Sequence, residues 1–217
     1  MRQLTRLRYR SRGFTLVEMA MVLVIVGLLV GSLLGPLSVQ VENSQRKETE
    51  KVLEEIKEAL MGYALVYGRL PCPDTDNDGI ENAPCTSPAY GGLPWQQLGI
   101  GNRDSWGQSY HYGVDIAFTT IFSLATTGSL KVCDTTPCNS STSNSLADNL
   151  PAVIFSTGKR FTAASADEQE NMDGTDNFYI YHTYNDAPGN EFDDLVTWIS
   201  PHILFTAWYR RGGSPEV

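Results

Sequence analysis

The sequence predicts an α+β fold: a long N-terminal helix packed on a small antiparallel β-sheet, with disulfide-stapled loops. Three features carry this reading. No charged residue occurs between Met19 and Val41, and Met19 to Leu34 is almost wholly apolar. After Asn43 the apolar positions Val52, Leu53, Ile56, Leu60, Tyr63, Ala64 and Tyr67 recur at three- and four-residue steps, which places them on one helical face. Beyond Pro71 the chain breaks into short runs of aromatic and branched residues, bounded by Gly, Asp or Asn and joined by turns rather than by helices.

The apolar run is long enough to cross a bilayer, because roughly 20 helical residues at about 1.5 Å each span the hydrocarbon core. Orientation follows from charge. The 217 residues carry a net charge of −9, yet the first 13 hold five arginines (Arg2, Arg6, Arg8, Arg10, Arg12) and no acid, so the other 204 carry −14. Positive flanks stay cytoplasmic, which puts the N-terminus inside and everything beyond the apolar run outside. An acidic body also argues against nucleic acid as a partner, since phosphate binding needs a positive surface. A secretory signal peptide would need small residues at an A-x-A-like site after the run, and Ser32 to Ser38 offers none. Glu18 lies within the apolar segment, where a charge costs up to about 2.5–3.5 kcal/mol at mid-membrane, so it requires a partner. Gly27, Gly31 and Gly35 recur every four residues, a spacing that either lets helices approach closely or is simply tolerated. Pro36 removes a helical hydrogen bond and is expected to kink or locally melt the helix.

Gly13-Phe14-Thr15-Leu16-Val17-Glu18, behind a short basic leader and ahead of an apolar helix, resembles the cleavage and methylation motif of type IV prepilins and type II secretion pseudopilins. The resemblance implies a pilin-like fold and a processing site. Prepilin peptidase would cut after Gly13 on the cytoplasmic face and methylate the new amine of Phe14. Residues 1–13 are then a removed leader, 14–36 a transmembrane and assembly segment, 37–67 the amphipathic half of the helix, and 68–217 a periplasmic globular domain. In that family Glu18 is expected to meet the Phe14 amine of a neighbouring subunit, a pairing strengthened by the low dielectric of the membrane. Closure of the same pair within one subunit is also in reach, because the two residues lie one helical turn apart.

Candidate strands are Tyr110–Ile116, Ala152–Thr157, Phe178–Tyr184 and Leu195–Ile199. Gly68 followed by Pro71 ends the long helix, and Ser200-Pro201 starts a final short helix that reaches about Gly212. The Ser/Thr/Asn-rich run from Asp134 to Ser145 reads as a loop insertion. Asp104-Ser105-Trp106-Gly107 with Tyr110 and Tyr112 resembles the D-x-W-G turn and following strand of the major pseudopilin. Phe155-Ser156-Thr157-Gly158 and Asp193-Asp194 before Trp198 resemble its later turns, in the same order. Lys159-Arg160 departs from that pattern, in which Asp-Gly would follow the strand.

Cys72 with Cys85 and Cys133 with Cys138 read as two local disulfides in an oxidising periplasm, although four cysteines permit three connectivities. Neither pair has the spacing of a zinc knuckle. Between the first two cysteines, Asp74, Asp76 and Asp78 alternate ahead of Gly79, with the Ile80 carbonyl as a further oxygen. Alternating carboxylates converge on a hard cation, so calcium is the expected cofactor, with a solvated acidic turn as the alternative. Cys85 stands where an EF-hand has its bidentate Glu, which excludes a true EF-hand. A second calcium candidate, by analogy with the major pseudopilin, is Glu191 with Asp193 and Asp194; Asp173 and Asp176 belong to either site or to solvent.

No catalytic residues are expected. His111, His182 and His202 lie on strands or near the last helix, no G-x-S-x-G elbow is present, and Trp95, Trp106, Trp198 and Trp208 read as packing residues. The expected protein is therefore a structural subunit, not an enzyme. It is held in the inner membrane with its body in the periplasm, processed by prepilin peptidase, and assembled with other pilin or pseudopilin subunits in a type II secretion pseudopilus or type IV pilus. The other readings are a membrane-anchored periplasmic enzyme and a secreted ligand-binding module.

Overall fold

A computed structural model describes residues 13–210, with the side chains of residues 32–37 left outside the description. The arginines of the leader and the Gly212 end of the last helix therefore lie outside the described residues. The chain divides into two units at Ser44/Gln45. Helix α1 (Leu16–Tyr67) begins in the first and ends in the second, and Pro36 does not end it.

In the first unit every described large apolar side chain from Phe14 to Val30 is exposed. Among the described residues no helix is long and apolar enough to cross a membrane. Residues 32–37 interrupt the described side chains of α1, and the apolar ones resume at Val39 and Val41, both exposed.

The second unit starts with the amphipathic half of α1, on which Leu53, Ile56, Leu60, Tyr63 and Ala64 are buried at the predicted steps. Tyr67 is exposed, a correction to the predicted apolar face. It sits at the last turn, its ring tilted against that of Tyr63 with centroids 4.3 Å apart. Gly68 then takes φ +70°, a left-handed conformation that ends the helix and suits glycine. In chain order the rest comprises β1 (Ala89–Gly92), α2 (Trp95–Leu98), β2 (His111–Val114), β3 (Leu130–Cys133), β4 (Ser145–Leu150), β5 (Ala152–Ser156), α3 (Ala166–Asp173), β6 (Phe178–Ile180), β7 (Leu195–Ile199) and α4 (Pro201–Arg210).

Four strands form one antiparallel sheet in the order β1-β2-β5-β7. Ala152 and Ile154 of β5 face the α1 side, where they share a core with Leu53, Ile56, Leu60, Tyr112 and Ile199. Val153 and Phe155 face the opposite side and share a core with Val132, Tyr179, Ile180 and Phe192. Side chains alternate across a strand, so a strand buried on both faces joins two cores. The expectation of a single sheet is thereby corrected: β4-β3-β6 form a second sheet, and β6 runs parallel to β3. The predicted strand at Phe178–Tyr184 shortens to Phe178–Ile180 and belongs to this second sheet, because Tyr179 and Ile180 pack on the face turned away from α1. Strands β1, β3 and β4 and helices α2 and α3 were not among the predicted elements. Ser145, the end of the predicted loop, opens β4.

Gly113 of β2 is one place where the layers meet closely. A Cβ there would collide with the Tyr179 hydroxyl, so glycine is what lets the second sheet approach. Phe205 and Trp208 of α4 pack on Phe118 and Phe122, with Trp208 and Phe122 centroids 5.9 Å apart.

Candidate functional site

The Gly13–Phe14 bond lies in exposed, non-helical backbone three residues before α1. Phe14 is 72% exposed. The helix start is built by Thr15 and Glu18, a T-x-x-E capping box. Glu18 N–H donates to Thr15 Oγ1 at 3.2 Å, and Glu18 Oε2 accepts from Thr15 N–H at 3.3 Å and from its hydroxyl at 3.4 Å. Two backbone donors left over at a helix N-terminus are thus satisfied, and the carboxylate lies where the helix dipole favours negative charge. In this chain Glu18 therefore has a partner in its own first turn, one residue from Phe14.

Asp74, Asp76 and Asp78 come together with ligand oxygens within 4.8 Å of one another. Asp74 is buried and organises the loop: Oδ1 accepts from Asp76 N–H at 3.2 Å and Asn77 N–H at 2.7 Å, while Oδ2 accepts from Gly79 N–H at 2.7 Å. Asp78 accepts from Ile80 N–H at 2.8 Å, and Asp76 and Asp78 face solvent. Gly79, at φ +85°, lies against Trp95 and Gln96, which leave no room for a Cβ.

The loop is fastened by Glu81, a residue outside the predicted site. Its carboxylate pairs bidentately with Arg69 at 2.6 and 2.7 Å and accepts from Cys72 N–H, Tyr63 hydroxyl and Gln97 amide at 2.9–3.0 Å. Burial opposes its ionisation, but Arg69 and the other three donors outweigh burial and hold the carboxyl at about 2. The Cys72–Cys85 and Cys133–Cys138 disulfides form as predicted.

The three turns of the body form one network. Asp104 Oδ1 accepts from Trp106 and Gln108 N–H, and Oδ2 accepts from the Ser156 hydroxyl at 2.5 Å. Ser156 Oγ accepts from Gly158 N–H at 3.0 Å, and Gly158, at φ +65°, lies so close to the Asp193 carbonyl that no Cβ fits. Asp193 and Asp194 do meet, but their third partner is Glu168 of α3. Glu191, predicted beside them, lies outside this cluster and caps its own turn, accepting from Gly189 N–H. Asp173 and Asp176 are engaged locally with Thr175 and Phe178. Burial pushes Asp194 up to about 8, against the lowering effect of its Asn171 hydrogen bond, and pushes Asp193 up to about 6. Glu168 is lowered: burial opposes ionisation, and the N–H groups of Ala164 and Asp193 outweigh it.

Two of the three histidines, His111 and His182, pack against aromatic rings, and His202 is exposed. His111 stacks on Phe155 at 4.8 Å and bonds Tyr90 through Nδ1, and burial lowers its pKa. His182 lies tilted against the Phe192 ring, with centroids 3.9 Å apart, and contacts Asp167 at 3.2 Å. A cleft of about 640 Å³ beside His111 is lined by Arg103, Thr157, Phe161, Gln169 and Met172.

Residues 8–34 match the family described as the prokaryotic N-terminal methylation motif. No curated protein and no solved structure matches the chain. The match covers the end of the leader, the Gly13–Phe14 bond, the capping box and the apolar part of α1. The chain thus carries a prokaryotic N-terminal methylation motif, and the match is confined to residues 8–34.

Proposed function

We propose that the protein is a pilin-like structural subunit whose leader is removed between Gly13 and Phe14 by prepilin peptidase, with methylation of the new Phe14 amine. Residues 14–36 cross the inner membrane with the N-terminus cytoplasmic, and the body lies in the periplasm. Assembly with other pilin or pseudopilin subunits into a type II secretion pseudopilus or type IV pilus proceeds through this helix. One observation carries the reading: the methylation motif falls on an exposed, non-helical bond just ahead of a helix whose described large apolar side chains from Leu16 to Val30 are all exposed. So large a continuous apolar surface requires lipid or the helices of neighbouring subunits. Glu18 leaves its capping box with Thr15 to meet the Phe14 amine of a neighbour, and this exchange sets register.

Calcium is proposed at Asp74, Asp76 and Asp78 with the Ile80 carbonyl. Asp74 already turns three N–H groups inward, which leaves the exposed carboxylates of Asp76 and Asp78 for a hard cation.

Intact mass of the membrane-extracted protein tests the processing. A chain beginning at Phe14 with one added methyl group is expected, and an intact leader or a cut after Leu34 would overturn the reading. Glu18→Ala is expected to leave that mass unchanged while abolishing incorporation into filaments. Normal filaments from Glu18→Ala would remove its assembly role.

A further inference from the structure

The buried acidic cluster of Glu168, Asp193 and Asp194 has a cation of its own. Glu168 and Asp193 are each only 2% exposed in their side chains, and two carboxylates so placed repel one another unless a positive charge stands between them. The Arg160 guanidinium stands there. Its Nη2 lies 3.2 Å from Glu168 Oε1, its Nε 3.4 Å from Asp193 Oδ1, and its Nη1 3.6 Å from Asp186 Oδ1. The Arg160 backbone N–H adds a bond to Asp193 Oδ2 at 3.0 Å. Arg160 Nε and Asp193 Oδ1 are both buried, make no hydrogen bond, and face one another as an ion pair at 3.4 Å.

The donor set does not suit a metal. Calcium takes six to eight oxygens at about 2.3–2.6 Å. Four of the six carboxylate oxygens here already accept hydrogen bonds: Glu168 Oε1 from Arg160 and Asp193 N–H, Glu168 Oε2 from Ala164 N–H, Asp193 Oδ2 from Arg160 N–H, and Asp194 Oδ2 from Asn171. The local chain explains the geometry. Gly158 turns at φ +65° directly against Asp193, and two residues later this turn delivers Arg160 onto the same aspartate.

We infer that Arg160 is the built-in counter-ion of this centre and stands in place of the calcium ion that the sequence resemblance puts at Asp193 and Asp194. The body is then held together at this point without metal, and any calcium the protein takes up goes to the Asp74 loop.

The test uses the full chain in detergent micelles, with calcium chloride as the only probe. Asp76→Asn/Asp78→Asn removes the solvent-facing ligands of the loop. Calorimetric titration of this double variant is expected to show no bound calcium, and its thermal midpoint should be the same in calcium and in EGTA. Adding Arg160→Ala should lower the midpoint in EGTA by roughly 6–12 °C. The inference is overturned if the double variant with Arg160 intact binds calcium and loses it on Asp193→Asn, or if Arg160→Ala leaves the midpoint in EGTA unchanged. The titration of the double variant decides the matter even if Arg160→Ala does not fold. Failure of the loop proposal is separately visible, as absence of calcium binding by the unaltered chain.

Discussion

Glu81→Gln tests what holds the Asp74 loop against the end of α1. Glutamine keeps the shape and one acceptor oxygen but leaves Arg69 without its counter-charge. A carboxyl held at about 2 against an ordinary 4.5 corresponds to about 3 kcal/mol of linkage, at about 1.4 kcal/mol per pH unit. The Glu81 side chain is 9% exposed and that of Arg69 27%, so water screens one side of the pair and about 2 kcal/mol is the expected loss. At an m-value of about 2 kcal/mol/M, this moves the urea midpoint down by roughly 1 M at pH 7 with the disulfides intact. The pH dependence has a definite sign. Because the folded carboxyl is depressed, its contribution is present above about 4.5 and is lost as pH falls toward 2. Unaltered chain and variant should therefore converge near pH 2. Arg69→Met should cause a similar loss at pH 7, and the double variant should lose less than the sum of the two. Equal midpoints at pH 7, or a gap that stays constant down to pH 2, would refute the role assigned to the pair.

Other outcomes follow from the packing and the buried charges. Gly113→Ala drives a methyl into the Tyr179 hydroxyl and should destabilise by about 1–3 kcal/mol; Tyr179→Phe should recover part of that loss, and strictly additive losses would contradict the contact. Asp194, pushed up to about 8, favours the folded state while protonated, so that contribution fades as pH rises from about 4 through 8. Asp194→Asn keeps the acceptor for Asn171 and should raise the stability at pH 8 by about 1–3 kcal/mol, read as a higher urea midpoint, with little effect at pH 4. A midpoint unchanged at pH 8 would mean that the carboxylate is not buried as described. Ser156→Ala removes the hydroxyl between Asp104 and Gly158 and should cost about 1–3 kcal/mol in thermal or urea unfolding, while a change near zero would show that the two turns are independently stable.

The parts of this protein that were legible from one sequence are those whose physics is local. The basic leader, the Gly-Phe-Thr-Leu-Val-Glu motif, the helical spacing of Leu53, Ile56 and Leu60, the stop at Gly68 and the short cysteine loops each need only neighbours within a few residues, and all but the leader, which lies outside the described residues, have structural counterparts. Strand β7 matched its expected bounds because its composition and flanking turns are equally local. Long-range arrangements were not legible in the same way. Strand β5 is buried on both faces, which its apolar run permits, but nothing in that run says what covers the second face. Glu168 joins Asp193 from 25 residues away, Arg160 reaches the same carboxylates from another turn, and Glu81 meets Arg69 and Tyr63 across the helix end. Charge pairing and sheet stacking depend on distances that the folded chain creates between residues with no fixed spacing, so periodicity cannot encode them. The N-terminal signature was local chemistry; the counter-ion of the acidic centre was a matter of which side chains the layers brought together.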